Sequence, residues 1–448
     1  MNAEVSKEPG RDSFRTRRGF ILACIGSAVG MGNIWLFPTR ISKYGGATFL
    51  IPYLIFVVLI ASTGVMEEMA FGRWAGAGPI GAFGKITERR FGNRRAGEFL
   101  GMFPMVSSLA LAIGYTVVVG WILKYLIGSL TGSSWAPDSP GAFGALFGKT
   151  ASAWGNTGWQ TAALVLTMVI TAFGIGAGIE KANKIMMPLF YVLFIGMAVY
   201  TAQLDGASAG YRYIFLLKPS GLLDPRVWIY ALGQAFFSLS VAGHGTLIYG
   251  SYLDDSEDVP NSAKYVAIFD TFAALLAALV IIPAMASCGQ RLNEGGPGLM
   301  FIYLPFIFRS MPGGRIFMIL FFAAVLFASL TSLVNLYECA IATLQDVFRL
   351  RRVSATAVIA VIGLAVSLSI QGIVSGWMDV CSTYFCPIGA GLAAILFYWA
   401  GGKDFALAAL QKGRARRLSP AYFYVGKYVY CIVTGAVLVM GAVLGGIG

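Results

Sequence analysis

The chain has 448 residues, 57% of them hydrophobic and only 12% charged, with a formal net charge of +12. Soluble domains carry about 25% charged residues, and a bilayer span takes about 20 apolar ones, so the composition excludes a large soluble globule. The basic residues flank apolar runs and form no stripe, which excludes nucleic acid as a partner; the six cysteines show neither a CxxC pair nor metal-ligand spacing.

In chain order, residues 1–18 are polar and basic, with no cleavable signal. Eleven apolar segments follow, numbered here helices 1–11: 19–41, 46–72, 99–130, 159–177, 185–204, 227–252, 262–288, 315–349, 354–373, 376–400 and 421–446. Each is too long for a barrel strand, so the predicted class is an all-α integral membrane protein. With the N-terminus inside, the inner segments hold 23 of the 33 lysines and arginines. This bias predicts a cytoplasmic segment 1–18 and, with eleven spans, an outer C-terminus. Expected units are a five-helix repeat over 19–204, a second over 227–400 and an additional helix at 421–446. The expected location is the plasma (inner) membrane, multi-pass.

Helices 1 and 6 are irregular near mid-membrane depth. Helix 1 reads Gly26-Ser-Ala-Val-Gly-Met-Gly-Asn33 and helix 6 reads Ser238-Leu-Ser-Val-Ala-Gly-His-Gly-Thr246. An interior glycine costs about 1 kcal/mol against alanine, so each cluster needs a reason. One is close helix packing through small residues. The other is that both helices unwind, freeing backbone groups that are tolerated at that depth only beside protein or a watery cavity. Interrupted helices at corresponding places in two halves point to an inverted-repeat transporter with a midplane site.

The run Gly26 to Trp35, with Phe37-Pro38, Gly45-Gly46 and Pro52-Tyr53, resembles helix 1 and the start of helix 2 of the neurotransmitter:sodium symporter family. Gly233 to Ser240 resembles its helix 6, and Ala328-Ser-Leu-Thr-Ser332 its helix 8. The resemblance runs from residue 14 to about 400 and is nearest to bacterial eleven-helix carriers of hydrophobic or aromatic amino acids. It implies a LeuT-type 5+5 inverted repeat with helices 1 and 6 unwound at the midplane, and sodium-driven amino-acid import by alternating access.

Residue by residue, the resemblance implies one sodium site from Ala28, Asn33, Ser238 and Asp270 with the substrate carboxylate. A second uses the carbonyls of Gly26, Val29 and Ala328 and the hydroxyls of Thr331 and Ser332. Two ions are therefore expected, held by oxygens of the kind a hard cation prefers; Thr331 and Ser332 could instead bond the carbonyl one turn back. Asp270 is an ionisable group inside an apolar run, a functional candidate with a cation partner. The family usually has Asn there and its animal members bind chloride nearby, so Asp270 implies no chloride requirement and a group that can take a proton on the return step. Ala274 offers no second carboxylate.

Gly30 stands where the family's monoamine carriers hold Asp, so the substrate is expected to bring its own carboxylate, as an α-amino acid. The expected contacts are Met31 and Gly32 N–H groups and Tyr115 for the carboxylate, with Ala28, Phe237, Ser238 and Ser240 for the ammonium. Tyr115 alone would also read as an interior tyrosine. Leu111, Val118, Phe237, Leu239, Ser332 and Leu336 should line the side-chain pocket. Gly243 replaces a bulky Phe of a leucine-binding relative, which favours aromatic and large aliphatic substrates. His244, the only histidine, reads either as a gap residue bonding freed carbonyls or as a proton-sensing or substrate group.

For the gates, Arg11 and Asp346 match the family's inner ion pair, with Phe14 in place of its Trp, although either charge could be a solvated loop group. Asp379 matches the outer acid, but Leu36 stands where an Arg is expected and Arg40 is the substitute. Gly178 and Pro188 enclose a segment of helix 5 that could unwind for sodium release. Glu68 matches a carboxylate that braces the unwound parts of helices 1 and 6, and Glu67 is expected to be solvated. Glu338 has no assignment. A membrane hydrolase is a poor alternative: Gly206-Ala-Ser-Ala-Gly210 fits GxSxG only in a loop, without the strand–turn–helix setting. A nontransporting amino-acid sensor and proton-driven transport on the same fold are the other readings. The partners expected are an amino acid and the lipid bilayer; the sequence leaves the oligomeric state open.

Overall fold

The computed structural model describes residues 12–241, 243–289 and 296–447. Within them every regular element is a helix. Eight helices are long and apolar enough to cross a bilayer, and Arg17–Ala28 with Gly32–Tyr44 forms a ninth span bent by 55°. The remaining two expected helices are Thr157–Ala172 and the pair Pro225–Ser238 and Gly245–Gly250.

Ends follow local chemistry. The Thr16 and Asn93 side chains accept from Gly19 and Ala96 N–H and so cap helices 1 and 3. Helix 2 (Ala47–Ala75) stops at Gly76, whose φ of 57° suits a residue without a Cβ. Helix 3 spans Arg94–Thr131, helix 7 Val259–Ser287 and helix 8 Gly314–Phe348. Val165, Val192, Val361 and Ile432 are among the large apolar side chains exposed on the outer faces of helices 4, 5, 9 and 11. An apolar exterior of this kind fits lipid as solvent.

Helix 5 corrects the expected range of 185–204. It runs over Ile175–Thr201, opens with a π-helical turn at Ile175–Ile179 and continues through Pro188. Gly178 and Pro188 thus lie in helical backbone in this conformation. The start was hidden because Glu180 and Lys184 interrupt the apolar run. Glu180 is buried by the N-terminal segment: it accepts from Arg15 N at 2.6 Å, Thr16 Oγ1 at 2.7 Å and Lys184 Nζ at 2.5 Å. The GxSxG segment is also a correction, since Gly206 precedes a short helix at Ala207–Ile214. A Cβ at Gly210 would come 2.6 Å from Pro283 Cα, so this glycine serves close packing on helix 7.

The two halves of helix 1 and the second half of helix 6 occupy the centre. The first half of helix 1 packs on helices 5, 7, 8 and the end of helix 6, while the first half of helix 6 packs on helices 2 and 11. The breaks are thereby enclosed by protein rather than lipid.

Candidate functional site: a cavity at the breaks of helices 1 and 6

Helix 1 stops at Ala28, Val29 is extended (φ −70°, ψ 110°), and a π-helical turn starts at Gly32. Asn33 stitches the gap, its Oδ1 accepting from Gly30 N at 3.0 Å. Helix 6 stops at Ser238 and resumes at Gly245; between them Ser240 and His244 adopt left-handed φ values of 61° and 53°. Such conformations cost about 1–3 kcal/mol in a side-chain-bearing residue and cluster at functional sites.

Three groups from helices 1, 6 and 7 meet in the gap. Asn33 Nδ2 donates to Asp270 Oδ1 at 2.8 Å and to Ser238 Oγ at 3.1 Å, and Ser238 Oγ donates to Asp270 Oδ2 at 2.6 Å. All three are buried, and among the described residues no basic side chain pairs with Asp270. On the other side of helix 1, Ser332 Oγ lies 3.1 Å from Gly26 O, 3.3 Å from Ser27 O and 3.0 Å from Val29 O. Thr331 Oγ1 donates to Ala328 O at 2.9 Å and to Phe327 O, one turn back, at 3.0 Å. Asn33, Ser238 and Asp270 thus form one cluster, and Ser332 with the Gly26 and Val29 carbonyls a second, while Thr331 bonds carbonyls of its own helix. Among the described residues no group of three or more His, Cys, Asp or Glu side chains could hold a metal ion. Carbonyls, hydroxyls and one carboxylate suit a hard cation rather than zinc or a soft transition metal.

Between the clusters lies a cavity of about 310 Å³. Ala28, Met31, Gly32, Tyr115, Ser238 and Ser240 give it polar and backbone lining, and Leu111, Val118, Phe237, Gly243, Ser332 and Leu336 also line it. Met31 N–H donates to Tyr115 Oη at 3.2 Å, and Ser240 Oγ lies 2.7 Å from Ser27 Oγ. Two expectations change. Leu239 is fully buried behind the wall and does not line the cavity. The space left by the missing side chain at Gly243 is taken by Leu336, whose Cδ2 would stand 2.7 Å from an added Cβ. Trp35, Trp121 and Met378 also line the cavity, a contribution that only helix packing could reveal.

The cavity extends to Leu36, Asp379 and Ser382. Arg40 sits 4.1 Å over the Tyr230 ring, and no ion pair joins it to Asp379 among the described residues, so the expected substitution is not made here. The opposite face carries packed contacts among the described residues. Phe14 packs edge-on against Phe20 at 5.3 Å and Tyr249 at 5.5 Å, and Asp12 Oδ2 accepts from Ile175 N at 2.5 Å. Asp346 Oδ2 accepts from Gly78 N at 3.1 Å; Arg11 lies outside the described residues.

Glu338 gains an assignment on this face. Arg352 grips it with two bonds, at 2.6 and 3.0 Å, Tyr252 Oη donates to it at 2.6 Å, and Arg352 Nε donates to Thr171 O at 2.7 Å. The pair ties helices 8 and 9 to the segment after helix 6. Glu338 is fully buried, so truncating Arg352 to Ala leaves an uncompensated charge costing about 3–5 kcal/mol. Thermal unfolding in detergent should drop sharply for R352A and recover in the double variant R352M/E338L; an unchanged melting temperature in R352A would dismiss the pair.

Glu68 braces helix 6: Thr246 Oγ1 donates to Oε2, and His244 Nδ1 lies 3.1 Å from Oε1. His244 thus bonds a carboxylate, not the freed carbonyls. Glu67 corrects the expectation of a solvated group, being 0% exposed, because helices 10 and 11 cover it.

A many-spanned helical protein whose two broken helices meet at a cavity lined by cation-type oxygens has the build of a secondary carrier. The chain belongs to the sodium:neurotransmitter symporter family, whose profile matches residues 11–139 and 146–443. It is 33% identical over 432 residues to the uncharacterized sodium-dependent transporter YhdH of Bacillus subtilis, covering 92% of each chain. It is 30% identical over 465 residues to an uncharacterized sodium-dependent transporter of Methanocaldococcus jannaschii, covering 96% of this chain and 90% of that one. Among solved structures, MhsT in complex with L-phenylalanine superposes with a TM-score of 0.85 and 32% identity, over 96% of this chain and 100% of that one. The protein is thus a member of a family of sodium-coupled transporters and not an enzyme.

Proposed function

We propose that the protein imports hydrophobic and aromatic L-amino acids by sodium symport without chloride, through alternating access across the plasma membrane. The observation that carries this reading is Asp270: a buried acid with no basic partner among the described residues, bonded to Asn33 and Ser238 at the edge of the cavity. An ionisable group at such depth calls for a cation. In this reading one sodium binds Ala28, Asn33, Ser238 and Asp270 with the substrate carboxylate, and a second binds Gly26, Val29, Ala328, Thr331 and Ser332. The half of helix 1 that starts at Gly32 presents its N-terminal N–H groups to the carboxylate. The apolar walls receive the side chain, consistent with the phenylalanine held by MhsT. The cavity in this conformation faces outward, past Asp379, and the face closed by Phe14 and the Arg352–Glu338 pair is cytoplasmic, as is the N-terminus. Helix 5 around Gly178 and Pro188 unwinds when that face opens.

Uptake of labelled phenylalanine into proteoliposomes tests this. An inward sodium gradient should drive accumulation, potassium should reduce it to background, and gluconate in place of chloride should leave it unchanged. Tryptophan, tyrosine and leucine should compete and glycine should not. Uptake that follows a proton gradient regardless of sodium, or that prefers glycine, would overturn the reading.

A further inference from the structure

Glu67 and Glu68 are consecutive in helix 2, and both side chains are completely buried. Their surroundings differ. Glu68 has Thr246 and His244 of helix 6 on its two oxygens. Neither oxygen of Glu67 has a hydrogen-bond partner among the described residues. The titratable groups facing Glu67 are Glu68 beside it, Tyr398 of helix 10, and Tyr430 and Cys431 of helix 11. Tyr398 Oη donates away, to Thr63 O at 3.0 Å, and Tyr430 Oη has no partner among the described residues. Helix 7 and the short helices Pro79–Phe91 and Gly402–Gln411 also pack on this part of helix 2, and among the described residues they bring no charged group to Glu67.

A carboxylate with no donor and no cation is far more costly to bury than the neutral acid, and two adjacent buried carboxyls cannot both ionise cheaply. Glu68 has a hydrogen-bond partner on each oxygen, and Glu67 has none among the described residues. We propose that Glu67 is a proton-binding site of this transporter, linked through Glu68 to the broken segment of helix 6. Glu67 holds the proton in the conformation described here. A movement of helix 6 that takes Thr246 and His244 away from Glu68 alters the surroundings of the adjacent Glu67 and so its hold on that proton. By reciprocity, proton occupancy then biases the conformation of helix 6. The tie to transport rests on the sodium-symport reading above.

The test uses the full chain in proteoliposomes. Under a fixed sodium gradient, phenylalanine uptake by the wild type should change at least about fivefold across about pH 5 to 9, whereas Glu67→Gln, which cannot titrate at this position, should change clearly less. The infrared difference spectrum on adding sodium and phenylalanine should contain a protonated-carboxyl band that Glu67→Gln removes. Glu67→Asp, which still titrates, should shift both band and profile, and it serves if the Gln variant does not fold. Sodium-driven uptake with a flat wild-type profile and no band would overturn the proton site while leaving the symport reading intact, as would variants that retain the wild-type band and profile. Absence of sodium-driven uptake in the wild type would sink the symport reading itself.

Discussion

Asp270→Ala is expected to abolish sodium-driven uptake, and Asp270→Asn to make it depend on chloride. A unit charge about 4 Å from sodium is worth about 4 kcal/mol at an effective dielectric of 20, roughly a thousandfold in affinity. On the proposed reading Asp270 supplies that charge; it has no competing basic partner among the described residues, and its two oxygens hold Asn33 and Ser238 from the two broken helices. The Ala variant loses charge and scaffold together. The Asn variant keeps the shape and one accepting oxygen, turns the other into an NH2 donor beside Asn33 or Ser238, and loses the charge, which an external anion could restore. Sodium titrations of phenylalanine uptake in chloride and in gluconate separate the two effects. Full activity of the Ala variant, or a sodium affinity for the Asn variant equal to wild type in gluconate, would remove Asp270 from the sodium site.

Gly30→Asp is expected to lower amino-acid uptake by at least about 100-fold, equivalent to about 2.7 kcal/mol. A Cβ at residue 30 would stand 3.1 Å from both Tyr115 Oη and Ser332 Oγ. The added carboxylate would therefore meet the substrate carboxylate and disturb the Ser332 bonds to Gly26 and Val29 oxygens. Gly30→Ala carries only the steric part and should lose less than about tenfold. If the Asp and Ala variants transport phenylalanine equally, the carboxylate of the substrate does not lie here.

Helices 2, 3, 7 and 8 were legible because apolar length is a one-dimensional signal, and it located each within a few residues. The two breaks were legible for a related reason, since clusters such as Gly26 to Asn33 have few uses inside a lipid-spanning helix. The start of helix 5 was not. Its Glu180 reads as a loop charge until residues 12–16 fold over it. The short helices Pro79–Phe91 and Gly402–Gln411 were hidden too, because they bury one face only and carry too little apolar residue to mark a span.

Side-chain environments divide in the same way. Gly243 suggests open space, yet Leu336 fills it from helix 8, nearly a hundred residues away. Glu67 sits at the end of an apolar run, where solvent is the reasonable expectation, and two helices more than 300 residues later cover it. Glu338 has no reading until Arg352 and Tyr252 meet it. By itself the sequence determined which segments enter the membrane, where two of them fail as helices and which oxygen-bearing residues lie near those failures, because hydropathy and backbone propensity are local. Tertiary structure alone decided which oxygens share a cluster, which acids are paired or stranded and which residues line the cavity, because those follow from contacts between segments far apart in the chain.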